Sequence, residues 1–150
     1  MKEIANKIKK AGGNLYLVGG AIRDELLGKQ THDEDYCVTG LTSEQFQELF
    51  PQSHIQGKSF EVFVLDGKEF AMARKETKLG EGHKQFEIET NPNITIEEDL
   101  ARRDITINSI AKDVLTGKII DPFNGREDLK NHIIRATTLH FKEDPLRVYR

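Results

Sequence analysis

Tryptophan is missing from this 150-residue chain, and cysteine occurs once, as Cys37. A lone thiol excludes an internal disulfide and any zinc cluster built on thiolates. Cys37 falls in an apolar stretch and reads as a buried free thiol in a reducing compartment. Long hydrophobic runs are absent too. None approaches the roughly 18 residues that read as a membrane span, and Met1-Lys-Glu-Ile-Ala-Asn6 lacks the apolar core of a signal peptide. These absences predict a cytoplasmic protein. Nor does charge of one sign dominate: 22 Lys and Arg stand against 25 Asp and Glu, a net charge of −3. Bulk electrostatics therefore announces no nucleic-acid partner, although a local basic patch disappears in such a sum. Proline is scarce, at four residues, and no repeated or low-complexity segment is present. What remains, 37% apolar and 31% charged residues, is the composition of one folded domain rather than of a disordered chain.

Local patterning sets the order of elements. Residues 2–10 space Ile4 and Ile8, with Ala5 and Ala11, along one side of a short helix that Gly12-Gly13 stops. Asn14 to Val18 is an apolar strand, Gly19-Gly20 a turn, and Ala21 to Leu27 a helix ended by Gly28. Glu34 to Val38 is the next strand. Thr42 or Ser43 can cap a helix running to Phe50, with Phe46 and Leu49 inward. Residues 60–65 and 68–73 flank Asp66-Gly67, which predicts a hairpin with a type I′ turn. Residues 75–92 are polar and aperiodic, apart from the alternation of Phe86 and Ile88, and predict a mobile loop. Helices are expected from Thr95 or Glu97 to Leu100 and from about Thr106 to Ala111. Short strands over 117–120 and at Ile133-Ile134 bracket a helical turn over 126–130. Asp144-Pro145 has the order of an N-cap and a first helical position. The helix it opens has no room for two turns before Arg150, so the chain is expected to stop at a domain edge inside a longer protein.

Two features carry chemistry. Asp33 and Asp35 are two apart on a strand, so their carboxylates share a face and Glu34 points the other way. Carboxylates held this close repel unless a cation lies between them. Mg²⁺ takes hard oxygen ligands, commonly one or two carboxylates plus substrate phosphates; His32 adds nothing to such a site. A third carboxylate would come from a neighbouring strand, with Glu69 and Glu61 as candidates, although either can simply face water. The second feature is Gly19-Gly20 at a helix start, where free N–H groups and a missing Cβ suit a phosphate. Arg23, one turn on, can add a charged fork or pair with Asp24. The turn is neither a dinucleotide fingerprint, which needs a third glycine, nor a P-loop.

Weaker signals follow along the chain. Arg102-Arg103-Asp104 precedes the helix expected at 106–111. The arginines can meet a triphosphate or form a solvated face, and Asp104 can cap the helix. Asn108, set among Ile105, Ile107 and Ile110, needs partners of its own. Asp144 and Arg147, i and i+3 on a helix, make either an acceptor–donor edge for a base or a salt bridge. Arg74, Lys75, Lys78, His83 and Lys84 make the 75–92 loop locally basic, for a polynucleotide backbone, for closure over a nucleotide, or merely solvated.

The order of these blocks is specific. Leu17-Val-Gly-Gly-Ala-Ile-Arg-Asp-Glu-Leu-Leu-Gly28 is followed by Asp33-Glu-Asp35, then by Glu98-Asp-Leu-Ala-Arg-Arg-Asp-Ile-Thr-Ile-Asn-Ser-Ile-Ala111. Asp121-Pro-Phe-Asn-Gly-Arg-Glu-Asp-Leu129 and Glu143-Asp-Pro-Leu-Arg-Val-Tyr-Arg150 complete the series. Together they resemble the class II tRNA nucleotidyltransferases, the CCA-adding enzymes, with bacterial poly(A) polymerases as relatives. Glu69-Phe-Ala-Met-Ala-Arg-Lys-Glu-Thr-Lys78 looks most like the gammaproteobacterial type. The resemblance implies an α/β (α+β) head domain of the DNA polymerase β-like nucleotidyltransferase kind, with a mixed, largely antiparallel sheet and flanking helices. It implies a head over residues 1–137 and the beginning of a helical neck over 138–150.

The same resemblance implies template-independent addition of CMP and AMP, from CTP and ATP, to the 3′ end of tRNA. Asp33 and Asp35 match the catalytic, metal-holding aspartates, with two Mg²⁺ ions expected during catalysis. Gly19, Gly20, Arg23, Arg103, Asp104 and Asn108 match the nucleotide-binding signature. Asp144, Arg147 and Arg150 match the element that reads the incoming base. The 75–92 loop matches an element implicated in the switch from C to A addition. Departures are small: Ser109 stands where alanine is frequent, and Tyr149 where leucine is usual. Most of what grips tRNA in the family lies beyond residue 150, so this chain alone is expected to keep the fold with little or no CCA addition. A poly(A) polymerase, or an enzyme adding only CC or only A, fits the same residues. A nucleotide- or RNA-binding module without catalysis is the alternative of another class, against which the presence of both aspartates speaks.

Overall fold

The computed structural model describes residues 1–31, 33–57, 61–78, 86–139 and 141. The chain opens with α1 (Lys2–Lys10), β1 (Asn14–Val18), α2 (Gly20–Leu26) and β2 (Asp35–Thr39). Next come α3 (Ser43–Leu49), β3 (His54–Gln56), β4 (Val62–Leu65) and β5 (Lys68–Met72). A second hairpin, β6 (Arg74–Lys78) and β7 (Phe86–Thr90), leads to α4 (Ile96–Ala101) and a 3₁₀ turn at Thr106–Asn108. β8 (Ala111–Asp113), β9 (Ile119–Ile120) and α5 (Gly125–Lys130) finish the described elements.

Seven strands form one sheet in the order β3-β4-β5-β2-β1-β8-β9. Every pair is antiparallel except β2 with β5. This is the mixed, largely antiparallel sheet the sequence implies. The β4–β5 turn is of the expected type: Asp66 and Gly67 both have positive φ, 52° and 73°, which matches the twist of the flanking strands.

Alternation along β1 and β2 builds two cores. Leu15, Tyr36, Val38, Phe63, Phe70 and Met72 pack with Ala5 and Ile8 of α1 and Phe46 of α3 on one face. Phe46 sits at the centre, with the rings of Phe50, Phe63 and Phe70 within 5.7 Å of its own. Each fully buried ring stabilises the fold by about 1.5–3 kcal/mol. Thr42 starts α3 with a capping box shared with Gln45, which satisfies N–H groups the helix would otherwise leave unpaired. On the other face Val18, Cys37, Ala73 and Ala111 meet Ile94, Ile96 and Leu100 around α4. Cys37 is buried there, as expected, and burial raises its thiol pKa, so it is an inert packing residue.

Three expectations are corrected. The 75–92 segment is not an irregular loop at its ends: Arg74–Lys78 pairs with Phe86–Thr90 in a two-stranded ladder. The charges that masked its alternation are partnered, Arg74 with Glu76 along β6, and Lys75 and Glu76 with Glu98 and Arg102 of the α4 region. His83 and Lys84 lie outside the described residues. The helix expected at 106–111 is only the 3₁₀ turn, after which Ala111 joins the sheet beside Val18. Ile105, Ile107 and Ile110 fit a helical stripe, but the same spacing serves a turn followed by a strand. Ile133-Ile134 forms no strand; Ile134 is exposed, and the pairing falls later, as an Ala136–Ile105 bridge.

The segment 135–138 is stitched to the 3₁₀ turn. Thr106 donates its N–H to the Arg135 carbonyl, and Thr137 donates its own to that of Asp104. The buried Ser109 hydroxyl bonds the Ile105 carbonyl and the Thr137 hydroxyl, at 3.0 and 2.7 Å. Asp128, also buried, takes Arg135 through Nε and Nη2 and the Thr106 hydroxyl at 2.7 Å. Arg135 above all, then Thr106, holds its carboxyl below the usual carboxylate range. A depressed folded value adds stability that is present above the unfolded pKa and is lost as pH falls through the folded one. Asp128→Asn is therefore expected to lower the melting temperature at about pH 7 and to lose most of that difference near pH 3. Thermal melts across that range check it; a difference that does not narrow in acid sinks the assignment.

Candidate active site

Val18 lies opposite Asp35 in the β1–β2 ladder. The strand that delivers Gly19-Gly20 therefore ends where β2 begins, and the two features singled out in the sequence are neighbours. The ladder also moves one boundary: β2 starts at Asp35, so Asp33 sits in the segment entering the strand rather than on it. Both residues remain exposed, with the Asp35 carboxyl itself partly desolvated. Burial pushes the Asp35 carboxyl up, the Arg103 charge draws it down, and the Asp33 charge pushes it up again. The charges of Asp33 and Arg103 thus both reach Asp35.

Glu34, which also precedes the strand, is engaged by Tyr36, whose hydroxyl donates to it at 3.0 Å, and by Lys68, which pairs with it. The Lys68 bond is the main reason its carboxyl is held low, despite partial burial. This anchoring fixes which side of the strand Asp35 presents. Glu69 stands opposite Asp35 in the parallel β2–β5 ladder, whereas Glu61 lines a separate cavity with Leu41, Thr42 and Met72. Among the described residues no three His, Cys, Asp or Glu side chains converge on a common metal position. The donor set is the aspartate pair, two hard oxygen ligands whose mutual repulsion a divalent cation would relieve, and it suits Mg²⁺ completed by phosphate oxygens.

The glycine turn is built for close approach. Gly19 has φ 71°, and a Cβ there would lie 3.0 Å from Nη1 of Arg103. Its N–H donates to the Ile110 carbonyl at 3.3 Å, so what Gly19 offers a ligand is space rather than a donor. At Gly20 a Cβ would stand 3.4 Å from Nη2 of Arg23. Arg23 is itself held in place: Nε donates to Asp24 at 2.9 Å and Nη1 to the Asn108 side-chain oxygen at 2.9 Å. Asn108 in turn donates to Asp104, whose carboxylate also takes the Ile105 N–H. Asp104 thus organises the 3₁₀ turn rather than capping a helix.

Sequence reasoning missed Asp99. It is 1% exposed, and its carboxylate receives Arg102, Arg103 and the Arg74 N–H. Burial raises its pKa, but Arg102 and Arg103 more than reverse this and the carboxylate stays ionised. The available signal was spacing: Arg102 and Arg103 follow it by three and four residues, one helical turn. Arg74 is also buried, not solvated. Burial and the neighbouring Arg102 bring its pKa down to about 10, against the pull of Glu76 and Asp99. Asp144, Arg147 and Arg150 lie outside the described residues.

Among the described residues no helix is long and apolar enough to cross a membrane. The chain is 47% identical over 139 residues to the CCA-adding enzyme of Alteromonas mediterranea, a match covering 91% of this chain and 34% of that protein. A crystal structure of the Bacillus stearothermophilus CCA-adding enzyme in complex with CTP superimposes with a TM-score of 0.79 at 35% identity, covering 99% of this chain and 36% of that one. A tRNA nucleotidyltransferase complexed with a primer tRNA and an incoming ATP analog gives 0.73 at 35% identity, over 97% and 42%. The chain therefore spans about a third of the length of the curated relatives it matches. The family model of the poly A polymerase head domain matches residues 15–135, and the chain belongs to that family.

Proposed function

We propose that this chain is the catalytic head of an enzyme that adds CMP and AMP from CTP and ATP to the 3′ end of tRNA. Residues 1–137 are the head and 138–150 the start of a neck. The observation that carries the reading is the Arg103 guanidinium. It reaches the Gly19 turn with one nitrogen and acts electrostatically on Asp35, so the place for a triphosphate and the place for a metal share one cation. Relatives whose structures hold CTP, or primer tRNA with an ATP analog, support the substrate class.

In this scheme the tRNA 3′-hydroxyl attacks the α-phosphorus of the nucleotide and pyrophosphate leaves. Asp33 and Asp35 would hold Mg²⁺, which when bound lowers the pKa of the hydroxyl and neutralises the triphosphate. Gly19 and Gly20 let the phosphates approach the backbone. Arg23 and Arg103 neutralise the charge that gathers on the leaving pyrophosphate. Asn108 and Asp104 hold Arg23 and the turn beneath it. Asp144, Arg147 and Arg150 read the base in place of a nucleic-acid template, and the reaction belongs to the cytoplasm with its tRNA.

The test uses the full-length protein, a tRNA lacking its CCA end, and labelled CTP or ATP. Sequencing the products made with CTP alone, ATP alone and both is expected to show CC, no extension, and CCA. A poly(A) tail identifies the polymerase variant of the family. Nucleotide binding without incorporation, unaffected by Mg²⁺, overturns the enzyme reading.

A further inference from the structure

Asp99 is the most deeply buried of the charged residues that the reaction scheme leaves without a task. Its two oxygens are used differently. Oδ1 takes Arg102 through Nε at 3.0 Å and Nη2 at 2.9 Å, and the Arg74 N–H at 3.2 Å. The Arg74 bond ties α4 to β6, and the Arg102 bonds close the end of α4. Oδ2 takes Nη2 of Arg103, at 3.2 Å, its one hydrogen bond among the described residues. The other terminal nitrogen of Arg103 then faces the Gly19 turn, 3.0 Å from where a Cβ would be. Its Nε is buried with no hydrogen-bond partner among the described residues, so the Asp99 bond is what orients the group. A planar guanidinium fixed at one terminal nitrogen has its other one fixed too, which a lysine ammonium cannot reproduce.

We infer that Asp99 is a positioning residue for nucleotide binding, setting the Arg103 guanidinium so that Nη1 is held at the phosphate-binding turn. This rests on the reading of Arg103 as a triphosphate contact. Asp99 touches no substrate and acts only through Arg103. The structural half of its work, through Oδ1, is separable from the functional half, through Oδ2.

A double-mutant cycle in the full-length enzyme tests this, with KM for CTP, ATP and tRNA and the melting temperature measured for each variant. Asp99→Asn is expected to raise KM for both nucleotides on the order of tenfold, the loss of one charge-assisted hydrogen bond. KM for tRNA should stay unchanged. Arg103→Gln is expected to raise the nucleotide KM at least as much, and the double variant no further than Arg103→Gln alone. A role confined to stability would lower the melting temperature and leave the nucleotide KM of the folded enzyme untouched. That result overturns the proposal, as do effects that multiply in the double variant. If Arg103→Gln itself leaves nucleotide KM at the wild-type value, the reading of the site fails first. Asp99→Glu keeps the charge and advances it by one methylene. Where the neutral variant does not fold, it takes the place of Asp99→Asn in the cycle, with a smaller rise in nucleotide KM expected and the same results overturning the proposal.

Discussion

Asp35→Asn in the full-length protein is expected to cut CMP transfer by about 10³-fold or more, close to 4 kcal/mol of lost transition-state stabilisation. The amide keeps the shape and one oxygen but loses the charge that recruits a divalent cation, and Asp33 alone cannot restore the pair. The fold should survive, for a reason visible in its electrostatics. Burial raises the Asp35 carboxyl pKa and Asp33 adds to this, with Arg103 opposing. A raised folded value means the ionised group weighs against the fold at neutral pH, and any stability it contributes is present at low pH and lost as pH rises through that value. A neutral Asn removes that burden, so the melting temperature at neutral pH should hold or rise slightly. Single-turnover incorporation of labelled CTP, with a parallel melt, measures both. Wild-type rates, or a dead enzyme that is also unfolded, would remove Asp35 from the catalytic assignment.

The largest expected loss of stability comes from a residue with no chemistry. A Cβ on Gly125 would lie 2.1 Å from the Thr106 carbonyl oxygen, 2.8 Å from its carbon and 3.0 Å from Cγ1 of Ile110. The main obstacle is backbone, and that backbone is pinned. The Thr106 N–H is engaged by Arg135 and its hydroxyl by Asp128. Ordinary overpacking costs about 1–3 kcal/mol, and a clash that must move a pinned backbone belongs at or beyond the top of that range. Gly125→Ala is expected to lower the melting temperature by roughly 10 °C. Gly28→Ala is the control: Gly28 has φ 68° but nothing within 4 Å of its Cβ position, so only the conformational penalty of about 1 kcal/mol applies. Comparable melts for the two variants would show that the close approach of α5 to the 3₁₀ turn carries no weight. Because Asn108 ends that turn and holds Arg23, the displaced turn should also weaken nucleotide affinity.

Local rules were enough for much of this fold. The Asp66-Gly67 hairpin, the Thr42 cap and the strand and helix on either side of Gly19-Gly20 depend on neighbouring residues, and the sequence shows them directly. The β6–β7 hairpin was illegible because Lys75 and Glu76 look solvated until Glu98 and Arg102 are known to face them. The 3₁₀ turn was read as a helix because nothing local says that Ala111 will join the sheet. Asp99 escaped notice for a similar reason. An acidic residue one turn before two arginines ordinarily makes a surface ion pair, and only the packing of β6 over α4 turns it into a buried one.

The Ser109–Thr137 hydroxyl pair has a consequence for descent rather than for chemistry. Each hydroxyl is buried, and each satisfies the other. Replacing Ser109 with alanine strands the Thr137 hydroxyl in the interior, at about 1–3 kcal/mol, whereas replacing Thr137 with valine leaves the Ser109 hydroxyl its bond to the Ile105 carbonyl. Replacing both is nearly neutral. The order of change therefore matters: a lineage reaching alanine at position 109 avoids the less stable intermediate only where Thr137 changes first.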